Sequence, residues 1–338
     1  MAGLREYIIV RLILTPAMVL ILLTVVFLIL RVLPGDPVRA SVGPKVPEEY
    51  VQKIRHELGL DKPLYQQYID YIVGLLHGDF GKSLITRRSF KEELLSRFAA
   101  SLELALCSML VAIPLGLSLG YLGATRRGSS LDHISRLLGV ASYSIPVFWL
   151  GVILQLIFGI WLGIFPVTGG APPSIKFRVP RITGMVMLDS LLSGDIEAFL
   201  ITVKHMVLPS LTLGFVISGV INKVTRNAML EVLSEDYVIA AKARGIPDFR
   251  IKIKYGLRNA LIPILTIAGL QFALLMGGAV LTESTFSYSG LGTYMRDAVL
   301  SRDYTVVQAA VTLYAIIVAF VNLVVDIIYA LLDPRIRY

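Results

Sequence analysis

Gly81, Lys82 and Ser83 form the tripeptide that closes a phosphate-binding loop, where backbone N–H groups and a lysine hold phosphate oxygens. Such a loop also needs a glycine five residues before Gly81, and that residue is Leu76, so no nucleotide site is read here. The histidines His56, His77, His133 and His205 are far apart, and none makes the helical pair of a metalloprotease. Ser287 and Ser289 lie in a glycine-rich turn without the flanking glycines of a nucleophile elbow. Cys107, the single cysteine, cannot form an intrachain bridge or a metal cluster and reads as a small buried thiol. These absences describe a non-enzyme with no cofactor or metal of its own. The polar residues that stand inside apolar runs are the remaining candidates: Glu103, Gln155, Asn222, Gln271, Asn322 and Asp326. A charged group at mid-membrane costs about 2.5–3.5 kcal/mol on insertion scales, so Glu103 and Asp326 are expected to face a bundle interior, by interhelical pairing or along a solute path. The amides more often serve as helix–helix contacts.

The elements that must position them follow from composition. Of 338 residues, 55% are hydrophobic and 17% charged, and the mean hydropathy is +0.73. A soluble domain carries roughly 25% charged residues, and each helical crossing takes about 20 apolar ones. Six apolar runs are found, at about 8–33, 99–123, 137–161, 207–225, 260–281 and 307–332, which predicts an all-α integral membrane protein with six transmembrane helices. The first run is longer than a signal core and lacks a small-x-small cleavage site, so it reads as a retained helix. The fourth is short and contains Pro209, Gly214 and Gly219; in the fifth, Gly277 and Gly278 would allow close packing or a hinge.

The net charge of +8 raises the question of nucleic acid, but the basic residues sit in short blocks beside apolar runs, as membrane topology requires. With the N-terminus inside, the inner segments hold 15 Lys and Arg and the outer ones 17. Eleven of the 17 fall between Arg31 and Arg97, a segment long enough to be translocated regardless of charge. Both termini are therefore expected to be cytoplasmic in a multi-pass protein of the cell membrane. The division is then 1–33 for the N-terminal end and first helix, 34–98 for an outer helical insertion, and 99–338 for a five-helix core with a cytoplasmic loop at 226–258.

The outer insertion opens with Pro34, Gly35, Asp36 and Pro37, followed by a short helix from Pro47 to a stop at Gly59. A second helix, with Asp61 available as its cap, repeats Leu64, Tyr68, Tyr71, Ile72 and Leu75 at helical spacing as far as Gly78. The pair would form a lid. In the cytoplasmic loop, Ser234 is placed to cap a helix starting with Glu235 and Asp236. Tyr237, Val238, Ile239, Ala240, Ala241, Lys242, Ala243 and Arg244 follow, and Gly245, Ile246 and Pro247 break it. A second basic, amphipathic stretch runs from Asp248 through Arg250 to Arg258. Small residues admit another surface close to the backbone, while Lys and Arg supply ion pairs around it.

DYVIAAKARG at 236–245 with LRNALIP at 257–263 resembles the EAA loop of bacterial and archaeal ABC importer permeases. LPGDP at 33–37, LGLDKPLYQQY at 58–68, GDFGKS at 78–83, SLELAL at 101–106, SIPVFWLG at 144–151, FSYSGLG at 286–292 and DPRIRY at 333–338 resemble, in order, the first permease subunit of dipeptide and oligopeptide importers. The motif glutamate is replaced by Ile239. The resemblance implies a type I ABC importer-like fold and a translocation path for di- or oligopeptides shared with a second, homologous permease subunit. It also implies two cytoplasmic ATP-binding subunits, which would carry ATP and Mg, and an extracytoplasmic solute-binding protein. Asp236, Tyr237, Ala240, Ala241, Lys242, Arg244, Gly245 and Arg250 would then form the ATPase-docking loop, whose displacement rocks the attached helices. An ion-coupled secondary transporter is the alternative, although no internal duplication supports it.

Overall fold

The computed structural model describes residues 4–32, 38–39, 46–86 and 88–332. The motifs at 33–37 and 333–338 lie outside them. Among the described residues five helices are long and apolar enough to cross a membrane, or six if a bent pair counts as one span. These are α1 (Leu4–Val32), α4 (Lys91–Thr125), the pair α5 (Ser130–Ser144) and α6 (Val147–Leu154, continued by a π-helix Gln155–Trp161), α9 (Ile196–Leu233), α12 (Arg258–Gly278) and α15 (Tyr304–Leu332). Shorter helices lie between them: α2 (Glu48–Glu57), α3 (Leu64–Leu76), α7 (Pro173–Arg178), α8 (Val186–Leu192), α10 (Asp236–Ala243), α11 (Asp248–Arg250, continued by a π-helix Ile251–Leu257), α13 (Val280–Thr285) and α14 (Leu291–Leu300).

The helices pack by the rules of lipid rather than water. On α5 the buried residues are Asp132, Ser135, Gly139 and Ser142, at helical spacing, while Ile134, Leu137, Val140 and Tyr143 are exposed. With hydrocarbon outside, no gain comes from burying leucine, and small or polar faces meet instead. The central contact, α4 against α9, follows the same logic. A methyl on Gly120 would stand 2.5 Å from Thr225 Cβ, and one on Gly219 would overlap Ser142 of α5, so the backbones touch where a side chain would part them. The helix α1 packs on α15 and presents most of its apolar surface outward.

One end of the bundle carries α2, α3, α7, α8, α13 and α14; the other carries α10 and α11. The lid at the first end is held by Phe27 of α1 against Tyr68 and Tyr71 of α3, with ring centroids 5.3 and 5.8 Å apart, and by Tyr71 bonding Thr312 of α15 at 2.5 Å.

Several expectations change in detail. Asp61 does not cap α3: the residue before a proline is kept out of helical conformation, so the helix starts beyond Pro63, and Asp61 instead bonds His56 at 2.7 Å. Ser234 is not the cap of α10, because α9 runs on to Leu233 and the Ser234 hydroxyl donates back to the Glu231 carbonyl at 2.7 Å. The fourth crossing begins earlier than its apolar stretch, at Asp195, whose carboxylate accepts the Ala198 N–H at 3.0 Å. The third is two helices meeting at 103°, because Pro146 holds Ile145 extended (ψ 126°).

Candidate functional site

The loop between α9 and α12 is a small folded unit. Val238 and Ala241 of α10 and Ile251 are buried together against Leu233, Ile246 and Tyr255, which fixes α10 to the end of α9. Asn259 of α12 donates to the Tyr237 hydroxyl at 2.9 Å, and Asp248 pairs with Lys252. The loop therefore joins two crossing helices. Of the eight residues expected to form a docking surface, Asp236, Tyr237, Ala240, Lys242, Arg244, Gly245 and Arg250 are exposed, whereas Ala241 turns inward. Ile239, at the position of the motif glutamate, is 58% exposed, and Phe249 is 74% exposed. Tyr237, Ile239 and Phe249 are uncovered, as are the basic Lys242, Arg244 and Arg250 of the same unit. Phe249 escaped the sequence reading, since one aromatic beside a charge run carries no period. Gly245 adopts φ +71°, and a side chain there would meet open space.

The polar residues within the crossings have separate places. Glu103 is 5% exposed and accepts the Met187 N–H at 2.6 Å, so it fastens α4 to the first turn of α8. Asp326 pairs with Arg11 of α1 at 3.2 Å. Asn222 is buried and donates to the Ser135 carbonyl at 2.8 Å. Gln155 donates to the carbonyls of Val167 (2.7 Å) and Thr285 (3.0 Å). Asn322 is exposed on α15. Gln271 differs from these: it lines a cleft of about 150 Å³ with Val147, Leu213, Ile217, Leu275 and Thr282, between α6, α9 and α12. The set is thus dispersed, and Gln271 borders open space.

Glu283 had no prominence in the sequence because it falls in a segment counted as an outer loop. It is 1% exposed and accepts hydrogen bonds from the Ser101 hydroxyl at 2.6 Å and the Thr293 N–H at 2.8 Å. Burial pushes its carboxyl above the ordinary glutamate range, against the opposing pull of those bonds. It ties α13 to α4 and α14, with Tyr288 donating to the Ala100 carbonyl beside it at 2.7 Å.

Comparison with known proteins follows the same outline. Residues 112–338 match the family model of the binding-protein-dependent transport system inner membrane component, and residues 4–105 match the N-terminal model of such membrane components. The di/tripeptide transport system permease protein DppB of Pseudomonas aeruginosa is 46% identical over 313 residues, covering 92% of this chain and 93% of that protein. The dipeptide transport system permease protein DppB of Escherichia coli K12 is 41% identical over 315 residues, with the same coverage. The glutathione transport system permease protein GsiC of Salmonella typhimurium is 39% identical over 319 residues, 94% of each chain. Among solved structures, an inward-facing MetNI methionine ABC transporter chain aligns with a TM-score of 0.54 at 20% identity, covering 72% of this chain and 97% of its own, which concerns the fold alone. An ion-coupled transporter is not favoured by these relatives. With both parts of the chain matched and relatives this similar along nearly its whole length, the chain belongs to the family of inner-membrane permease components of binding-protein-dependent transport systems.

Proposed function

We propose that this permease subunit conducts short peptides, and that it does so with a second homologous permease chain, two cytoplasmic ATPase subunits that carry ATP and Mg, and an extracytoplasmic solute-binding protein. The relatives named for dipeptides, di/tripeptides and glutathione support the solute class. The observation that carries the coupling is that Tyr237, Ile239, Phe249, Lys242, Arg244 and Arg250 are all uncovered on one small folded unit joined to two crossing helices. Aromatic and arginine side chains of this kind are enriched in protein interfaces. Asp236, Tyr237, Ala240, Lys242, Arg244, Gly245 and Arg250 provide this surface, and Ile239 replaces the motif's charged contact with an apolar one. Ala241 holds the unit together from within.

The orientation that suits this reading puts both termini and the α10–α11 end in the cytoplasm, with the lid outside. A reporter fused at either terminus should be accessible from the cytoplasm only; labelling from outside intact cells overturns the orientation.

Gly245 separates docking from folding. Its positive φ suits asparagine as well as glycine, and nothing in the chain obstructs a larger group there. In transporter reconstituted with its partners, Gly245→Asn should retain peptide uptake, while Gly245→Trp should leave the chain folded but abolish ATP-dependent uptake. Equal uptake by both variants, or failure of the wild-type chain to co-purify with an ATPase, overturns the proposal.

A further inference from the structure

The helix α5 has two ends of different construction. At its start Asp132 is 2% exposed and accepts two parallel bonds from the Arg226 guanidinium of α9, Nε to Oδ1 at 2.8 Å and a terminal nitrogen to Oδ2 at 3.1 Å. The Gly128 N–H, in the turn from α4, donates to the same carboxylate at 3.0 Å, and Arg136 approaches it to 3.6 Å. One turn along, Ser135 Oγ stands 2.8 Å from the Leu119 carbonyl of α4 and 3.0 Å from Asn222 Oδ1 of α9, sharing its proton, while the Asn222 amide donates to the Ser135 carbonyl. Three helices are thereby pinned at one level. A forked guanidinium–carboxylate pair fixes orientation as well as distance, and small residues at Gly139 and Gly219 leave no slack around it.

The other end of α5 is free of such ties to α9. The chain breaks at Ile145–Pro146, turns through 103°, and α6 packs elsewhere: Gly151 lies against Phe286, and Gln155 bonds the Thr285 carbonyl. Below the clamp, α9 continues to Leu233 and meets α10 after two residues, with Leu233 itself in the cluster that holds α10. Displacement of α10 thus reaches Arg226 along an unbroken helix.

We infer that the Asp132–Arg226 pair is a positioning device that hands movement of the docking loop to α5, so that α5 turns with α9 as one body about the Ile145–Pro146 break. This rests on the reading that the loop docks on an ATPase. Neither residue touches solute or nucleotide; both act through the helices they join.

The test uses the complete transporter in vesicles and reads solute imported per ATP hydrolysed. Arg226→Met alone strands a buried carboxylate and can fail for want of folding, so the informative variant is Asp132→Asn with Arg226→Met. It removes both charges, keeps an acceptor for the Gly128 N–H and breaks the fork. The double variant is expected to assemble and hydrolyse ATP while its solute-per-ATP ratio falls roughly tenfold. A wild-type ratio in an assembled double variant overturns the inference, since a purely structural pair would lower the amount of transporter and leave the ratio intact. If the double variant does not assemble, Arg226→Lys decides, because it keeps the charge but loses the fork: a reduced ratio supports the device and an unchanged ratio overturns it. Gly245→Trp, measured alongside, distinguishes the two levels: if it and the wild type show no ATP dependence, docking itself has failed; if it uncouples while the double variant stays coupled, only the clamp has.

Discussion

Glu283 illustrates how a single side chain can set a pH response. Its folded carboxyl titrates above the ordinary glutamate range because burial opposes ionisation more than the Ser101 and Thr293 bonds favour it. A carboxyl raised in the folded state contributes stability that is fully present below its unfolded value and is lost as pH rises through the folded value. The purified chain should therefore lose thermal stability as pH rises from the ordinary glutamate value through that raised one, and Glu283→Gln should remove this part of the slope. The amide can keep its oxygen on the Thr293 N–H and turn its N–H₂ to the Ser101 hydroxyl, so the slope rather than the absolute melting temperature is the diagnostic. A slope identical to wild type in melts across that range contradicts the assignment. Glu103 and Glu283 also show what residue type alone conveys. Glu103 stood out because it interrupts an apolar run, whereas Glu283 looked like one more loop acid until α4 and α14 were packed around it.

At the scale of elements, what the sequence disclosed depended on which interaction shaped each helix. Crossings, lid helices and the α10 break were legible because apolar runs, a proline-led start and a Gly-Ile-Pro stop are local signals. The bend between α5 and α6 was hidden by hydropathy, as both halves are apolar and the cause is one proline. The fourth crossing looked weak because its apolar run is short and holds Pro209, Gly214 and Gly219, yet Gly214 and Gly219, with Asn222 and Thr225, form its contacts with α4 and α5. The proposed docking loop was legible as a motif, but its inward Ala241 and outward Phe249 needed the third dimension. Gly219→Val tests the packing argument. No room exists for the side chain, so the variant should lose about 1–3 kcal/mol, seen as a lower melting temperature of the chain in detergent. An unaltered melt would mean that α5 and α9 separate without cost.

For the molecule as a whole, the proposed topology makes the net charge of +8 a matter of sidedness. The inner segments of the proposed topology carry 15 basic residues, and the densest group runs from Lys223 to Arg258 through the docking loop. Apolar surface faces outward along most of the crossings, including a groove of about 370 Å³ lined by Leu106, Met109, Ile113, Phe272, Phe320 and Val324 between α4, α12 and α15. The broken third crossing adds a demand on the lipid itself. The 15 residues of α5 rise about 22 Å, short of a hydrocarbon core of about 30 Å, and α6, turned 103° from it, adds little length along the α5 axis. Trp149 and Trp161 on that transverse stretch are exposed, and tryptophan settles at the headgroup level. The short α5 predicts local thinning of the bilayer around it, and the cost of thinning grows with acyl-chain length. Uptake in vesicles of graded chain length should decline toward the longest lipids while ATPase assembly persists, so that membrane thickness sets the transport rate; uptake independent of chain length contradicts this.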